Sequence, residues 1–198
     1  MKAYSDFDKI PFYRYGMIMA DPPYKFDHWG KPNEKSAGGN YNLMTLEEIK
    51  AMPVERIAAP QAHLMLWWNT SMIFQAKEVL DAWGFKFVTM GFWVKTTKSH
   101  PIRPRIGTGH VLRECGEPFL IGSIGEPPTL DKGVPAVFFE PRKRGHSRKP
   151  DGAFETAERL SSPHSWKIEL FSRTNRKGWD VFGNETGKFI DPVQPVQQ

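Results

Sequence analysis

Asp21-Pro22-Pro23-Tyr24 is the stretch of this chain whose residue types best suit chemistry. It follows Met17-Ile18-Met19-Ala20, an apolar run closing on a small residue, which reads as a buried strand that the proline pair stops. In an open α/β sheet, ligands bind in the crevice beyond the carboxyl ends of the strands. An acid, two prolines and an aromatic at such a place suit the grip on the amino group of a flat nucleobase. That amine donates two N–H bonds, and its lone pair is delocalised into the ring. Methylating it needs acceptors for the hydrogens and a methyl donor held in line. Asp21 can accept one hydrogen and the Pro22 carbonyl the other, because proline keeps its C=O. The fixed φ of two prolines aims that carbonyl in advance. Tyr24 offers a ring face to an extruded base. The plainer reading is a rigid turn with a surface Asp and a half-buried Tyr, and the tetrapeptide alone does not choose between them.

Positioning such a site requires regular elements around it. Strand patterns recur at Tyr15–Ala20, His63–Trp68, Lys86–Lys95, Glu117–Ser123, Val134–Glu140, Trp166–Phe171 and Trp179–Phe182. Helical patterns fall between several of them. Thr45–Met52 opens close to a capping box. Ser71–Trp83 has apolar residues at 73, 76, 79, 80 and 83, all on one face. Asp151–Leu160 follows a proline and is amphipathic. This alternation predicts an α/β fold with a mostly parallel, doubly wound sheet. Residues 1–190 read as a single domain and 191–198 as a mobile tail.

Three polar stretches fit neither pattern: Lys25–Asn42, His100–Leu112 and Pro141–Pro150. Long loops in compact domains are usually lids, binding loops or disordered segments. The third holds Arg142, Lys143, Arg144, Arg148 and Lys149 around His146, and the second holds Arg103 and Arg105. These cations suit phosphate contacts that position a nucleic acid without reading its sequence. A merely solvated basic loop is the equal alternative. Gly107-Thr108-Gly109-His110 lacks the spacing of a phosphate-cradling fingerprint. His110 and Glu117 could line a site, although a structural hydrogen bond is the simpler account of either. Glu169 and Arg173 fall at or near a strand end, where an acid can bind ribose hydroxyls, although an ordinary ion pair is the simpler account.

With 198 residues the chain can bury a proper core, and 13% aromatic content argues against disorder. Net charge is +5 and the sequence pI about 9.3, a balance that favours a polyanionic partner. A lone cysteine, Cys115, excludes an intrachain disulfide framework and a multi-cysteine zinc site. The scattered histidines offer no metal site. The absence of a signal peptide, lipidation motif or long apolar span leads us to expect a cytoplasmic protein with no membrane partner.

Taken in order, ADPPY, FWVKT, GTGH, a Glu-rich strand ending in Gly, HSRKPD, KIELFSR and GWDVFGNE resemble the adenine-N6 methyltransferases. The likeness is to the branch that includes the catalytic subunit of the eukaryotic mRNA methyltransferase and its bacterial and phage relatives. It covers roughly residues 15–186. The resemblance implies a Rossmann-like methyltransferase fold with permuted motif order and S-adenosylmethionine as cofactor. Asp21, Pro22, Pro23 and Tyr24 match the family's catalytic tetrapeptide, whose aromatic is more often Trp. Lys149 matches a lysine that helps hold the cofactor's carboxylate, with Arg148 where a His is common. Glu169 and Arg173 match positions around the cofactor ribose, and Asn175 lies in the loop that follows. Asn184 and Glu185 match a pair at the cofactor's nucleoside end. Tyr4 borders the cofactor adenine through its backbone in a weaker alignment.

The resemblance further implies transfer governed by positioning, with Asp21 orienting the amine and no metal or covalent intermediate. A short chain with specificity confined to its loops suggests DNA as substrate, with a short or relaxed recognition sequence, in a bacterial or phage-infected cell. The alternatives are the same reaction on RNA, a non-catalytic nucleic-acid-binding partner of this fold, and an enzyme acting on a protein or small-molecule amine. A homodimer is compatible with all of them.

Overall fold

Alternation within the central strands sorts their side chains onto two faces. Every residue of Tyr15–Ala20 is buried, as suits a parallel strand covered on both sides. Met17 and Met19 pack with Met65, Trp67, Phe119, Phe154 and Trp179 on one face. Ile18 and Ala20 pack with Leu64, Leu66, Ile49, Val79 and Leu80 on the other. A register irregularity between Tyr15 and Met17 places Tyr15 on the second face too. The Tyr15 hydroxyl donates to Asp180 Oδ2 at 2.9 Å, and the Lys2 amide donates to Oδ1 at 2.6 Å.

The computed structural model describes residues 1–24, 43–109, 111–142, 148–184, 186, 189 and 190. Its strands are β1 (Ala3–Tyr4), β2 (Tyr15–Ala20), β3 (Ala58–Trp67), β4 (Lys86–Thr96), β5 (Gly116–Ile124), β6 (Val137–Pro141), β7 (Trp166–Leu170), β8 (Thr174–Asn175), β9 (Asp180–Phe182) and β10 (Phe189–Ile190). Eight of them form one sheet in the order β1-β9-β7-β2-β3-β5-β4-β6, and β8 pairs with β10 separately. Within the large sheet β5 alone runs antiparallel to its neighbours. Helices α1 (Leu46–Lys50) and α2 (Ile73–Ala82) cover one face, and α3 (Asp151–Leu160) the other. The α/β, mostly parallel, doubly wound expectation therefore holds.

Local chemistry accounts for the helix ends. Thr45 and Glu48 form a reciprocal capping box at α1. Asn69 caps the short 3₁₀ turn Thr70–Met72 that leads into α2. The Trp83 indole donates to the Ile49 carbonyl at 2.8 Å and ties α2 to α1.

Several boundaries differ from expectation. The Val134–Glu140 pattern forms strand only from Val137, and β3 begins five residues before His63, at Ala58. Phe171 leaves β7 with φ 62°, a left-handed conformation uncommon outside glycine, and turns the chain sharply at the strand's carboxyl end. The expected loop Lys25–Asn42 and tail 191–198 lie outside the described residues, as do His110 and His146.

Candidate active site

Because β2, β3, β4, β6, β7 and β9 run the same way, their carboxyl ends share one edge of the sheet. The antiparallel β5 brings its starting end, with Glu117, to that edge. Ala20 pairs with Leu66 of β3 and Leu170 of β7, so Asp21 emerges in the middle.

On the β3 side stands a compact charged group. Lys149 Nζ lies 3.0 Å from Asp21 Oδ2 and 2.8 Å from Glu117 Oε2, and Lys95 Nζ lies 2.5 Å from Glu117 Oε1. The Lys149 side chain is only 8% exposed, and its ammonium sits 4.8 Å from the centre of the Trp67 ring. Burial, the largest influence on Asp21, raises its carboxyl above the ordinary value while Lys149 opposes this. Burial would raise Glu117 as well, yet Lys149 and Lys95 outweigh it and hold that carboxyl down to about 2. Burial works against the Lys149 ammonium, but Asp21 and Glu117 together raise its pKa well above the ordinary lysine value.

Beside Asp21, the proline pair folds tightly. The Pro22 carbonyl accepts the Tyr24 amide at 2.9 Å, and the Pro23 carbonyl accepts the Met44 amide at 2.7 Å. One face of the Tyr24 ring is stacked on Trp68, with centroids 4.5 Å apart and planes 14° from parallel. Neither the Trp67 nor the Trp68 indole N–H has a hydrogen-bond partner among the described residues.

On the β7 side the edge carries polar groups. Glu169, on β7 and 8% exposed, accepts from the Ser172 hydroxyl at 2.5 Å, and that hydroxyl also receives the Thr174 amide at 3.2 Å. The turn at Phe171 makes this local closure. Arg173 follows, then Asn175 on β8, whose Oδ1 is buried without a hydrogen-bond partner among the described residues. Tyr4 pairs with Phe182, and its carbonyl accepts the Gly183 amide at 3.2 Å, which sets Tyr4 alongside Asn184.

The fold thus joins Lys149 to Asp21, with Tyr24 beside it, and places Glu169, Tyr4 and Asn184 at or just past the carboxyl ends of β7, β1 and β9; Arg173 follows β7, and Asn175 lies on β8, outside the large sheet. Arg103 and Arg105 are exposed on the connection after β4, Arg142 is exposed just past β6, and Arg148 is half-buried. Lys143, Arg144 and Glu185 lie outside the described residues. Sequence reasoning missed Lys95 and Trp68 and ranked a structural part for Glu117 ahead of a place in the site. Each stands at the edge end of a predicted strand, and that position was the available signal.

The MT-A70 family pattern matches residues 15–185, most of the chain. The chain belongs to the MT-A70 family. Among its relatives, the N(6)-adenosine-methyltransferase MT-A70-like protein of Drosophila melanogaster is 30% identical over 90% of this chain and 28% of its own length. The human N(6)-adenosine-methyltransferase catalytic subunit METTL3 is 30% identical over 87% of this chain and 28% of its own. The type II methyltransferase M.MunI of Mycoplasma sp is 28% identical over 90% of this chain and 81% of its own. The chain thus spans little more than a quarter of the length of these two animal MT-A70 relatives. Among the described residues no helix is long and apolar enough to cross a membrane, and no group of His, Cys, Asp and Glu could hold a metal ion.

Proposed function

We propose that this chain transfers a methyl group to the N6 amine of adenine in nucleic acid, with DNA as the substrate. The observation that carries this reading is Asp21, anchored through Oδ2 to the buried Lys149 and flanked by the prolines and the Tyr24–Trp68 stack. Likeness to a type II methyltransferase over 81% of that enzyme's length favours DNA. Similarity to N(6)-adenosine methyltransferases favours RNA as the second reading.

The residues present fit S-adenosylmethionine. Asn175 Oδ1, buried and without a hydrogen-bond partner among the described residues, is an acceptor suited to a donor such as a ribose hydroxyl. An ammonium has three N–H donors, and Lys149 spends two on Asp21 and Glu117, leaving the third for a carboxylate. Arg173, Glu169, Asn184, Glu185 and the Tyr4 backbone complete the cofactor assignment. When bound, the cofactor supplies a sulfonium-activated methyl group.

The chain's own residues then do four things. Asp21 accepts one amine hydrogen through Oδ1, and the Pro22 carbonyl accepts the other with the lone pair that Tyr24 N–H leaves free. Tyr24, backed by Trp68, is the aromatic on which the extruded adenine stacks. As the amine nitrogen gains positive charge, the Asp21 carboxylate stabilises it, and the surplus proton leaves afterwards. Arg103, Arg105, Arg142, Lys143, Arg144 and Arg148 hold the phosphates.

The test is transfer of labelled methyl from S-adenosylmethionine to matched single-stranded DNA, duplex DNA and RNA, with Asp21→Ala alongside. Label on adenine of DNA, absent in the variant, is the expected result. Label on RNA alone would select the second reading, and no label on any of them would overturn both.

A further inference from the structure

Lys149 precedes Pro150 and α3, and the start of α3 has an unusual cap. Pro150, at the N-cap, makes no side-chain hydrogen bond to the helix. The orphan amides of the first turn are taken instead by a residue from another element. Glu140 Oε1 accepts the Asp151 amide at 2.9 Å, and Oε2 accepts the Gly152 amide at 2.8 Å. Glu140 sits near the end of β6, and its own carbonyl accepts the Trp93 indole at 2.9 Å, so the strand that holds the clamp is itself pinned. A Cβ at position 152 would stand 2.9 Å from Glu140 Oε2 and 3.1 Å from the Phe138 ring. Glycine is what lets the helix approach so closely.

Two residues before the first of these amides, the Lys149 side chain, only 8% exposed, runs toward Asp21 and Glu117. Its head must reach both carboxylates at once across the Trp67 ring, so small movements of its backbone are costly. Glu140 is also in register with Lys95 across the β4–β6 pairing, and Lys95 holds Glu117 from its other side. One carboxylate therefore fixes the helix that follows Lys149, from the strand that neighbours Lys95.

We infer that Glu140 is a positioning residue for the proposed methyl transfer: by clamping the first turn of α3 to β6 it holds Lys149 between Asp21 and Glu117. This inference rests on the methyltransfer reading for its effect on activity, and on the geometry alone for its effect on Lys149. Removing the carboxylate leaves two amides without acceptors and frees the Lys149–Pro150 backbone from its anchor.

The experiment uses the full chain as native protein, Glu140→Ala, Glu140→Gln, Lys149→Met and the Glu140→Ala/Lys149→Met double variant. S-adenosylmethionine affinity is measured by calorimetry, and the acylation rate of Lys149 by an N-hydroxysuccinimide ester is measured by mass spectrometry. Glu140→Ala should weaken cofactor binding about tenfold and speed Lys149 acylation by a similar factor. Glu140→Gln, which keeps one acceptor oxygen, should fall between alanine and native. The double variant should bind cofactor no more weakly than Lys149→Met, because a residue acting through Lys149 has nothing further to lose. Additive losses in the cycle, or unchanged Lys149 acylation in the alanine variant, would overturn the inference. If the alanine variant does not fold, unchanged acylation in the glutamine variant overturns it equally. Native protein that binds no cofactor would defeat the methyltransfer reading, while the acylation rates would still decide the role of Glu140.

Discussion

Lys149 Nζ lies 3.0 Å from Asp21 Oδ2 and 2.8 Å from Glu117 Oε2, so one buried cation serves two carboxylates of the same edge. Their roles differ because their surroundings differ. Glu117 is ion-paired with a second ammonium, Lys95, whereas among the described residues Asp21 pairs with Lys149 and is raised by burial. Glu117 is therefore the fixed anion of the group and Asp21 the one held at a cost.

That cost predicts a trade between stability and activity. Asp21→Asn should abolish methyl transfer and leave cofactor affinity within about twofold, since Lys149 keeps Glu117. Its melting temperature at pH 7 should equal or exceed that of the native chain. The sign follows from linkage: a carboxyl raised on folding adds stability below its ordinary value of 3.8 and loses it as pH climbs through the folded value. The advantage of the variant should thus vanish on acidification, which thermal unfolding across pH would reveal.

Glu117 predicts the opposite slope. Its carboxyl moves from 4.5 to about 2 on folding, so its contribution is present above 4.5 and is lost as pH falls toward 2. Glu117→Gln should be less stable than the native chain at neutral pH, and the difference should shrink over that window. Denaturant titrations at pH 7 and pH 3 would measure it.

Lys149→Ala should weaken cofactor binding at least tenfold and leave Asp21 and Glu117 repelling each other without a bridge. Lys149→Arg should not rescue, because the larger guanidinium has to fit an 8% exposed slot that holds a compact ammonium. Calorimetric titration of the two variants would show whether affinity follows charge or shape.

The Tyr24–Trp68 stack predicts an effect on nucleic acid and not on cofactor. Tyr24→Ala should cost about 1–3 kcal/mol in kcat/KM through lost base stacking, and Tyr24→Trp should retain activity. Trp68→Leu should act in the same direction as Tyr24→Ala but more weakly, because it removes only the backing ring. An equal rise in cofactor Kd for any of these would assign the pair to the core instead.

Much of this was legible before any coordinates. Thr45 and Glu48 spell their capping box, the 73–83 spacing spells α2, and the buried run 15–20 ends at Pro22 because proline cannot continue a sheet ladder. The start of β3 at Ala58 was hidden, since Pro60 and Gln61 interrupt the apolar pattern. The turn at Phe171 was hidden too, because no local preference places a phenylalanine at φ 62°.

The residue types and their order by themselves determined the α/β alternation, the Asp-Pro-Pro-Tyr motif at a strand end and the family. These are local, resting on periodicity, turn chemistry and spacing along the chain. The tertiary structure decided that Lys149, from the segment before α3, would meet both Asp21 and Glu117, that Lys95 of β4 would hold Glu117 of β5, and that Trp68 would back Tyr24. Strand order and the reversal of β5 set those meetings. The shifted carboxyls that follow depend on distance and burial, which exist only once the sheet has formed.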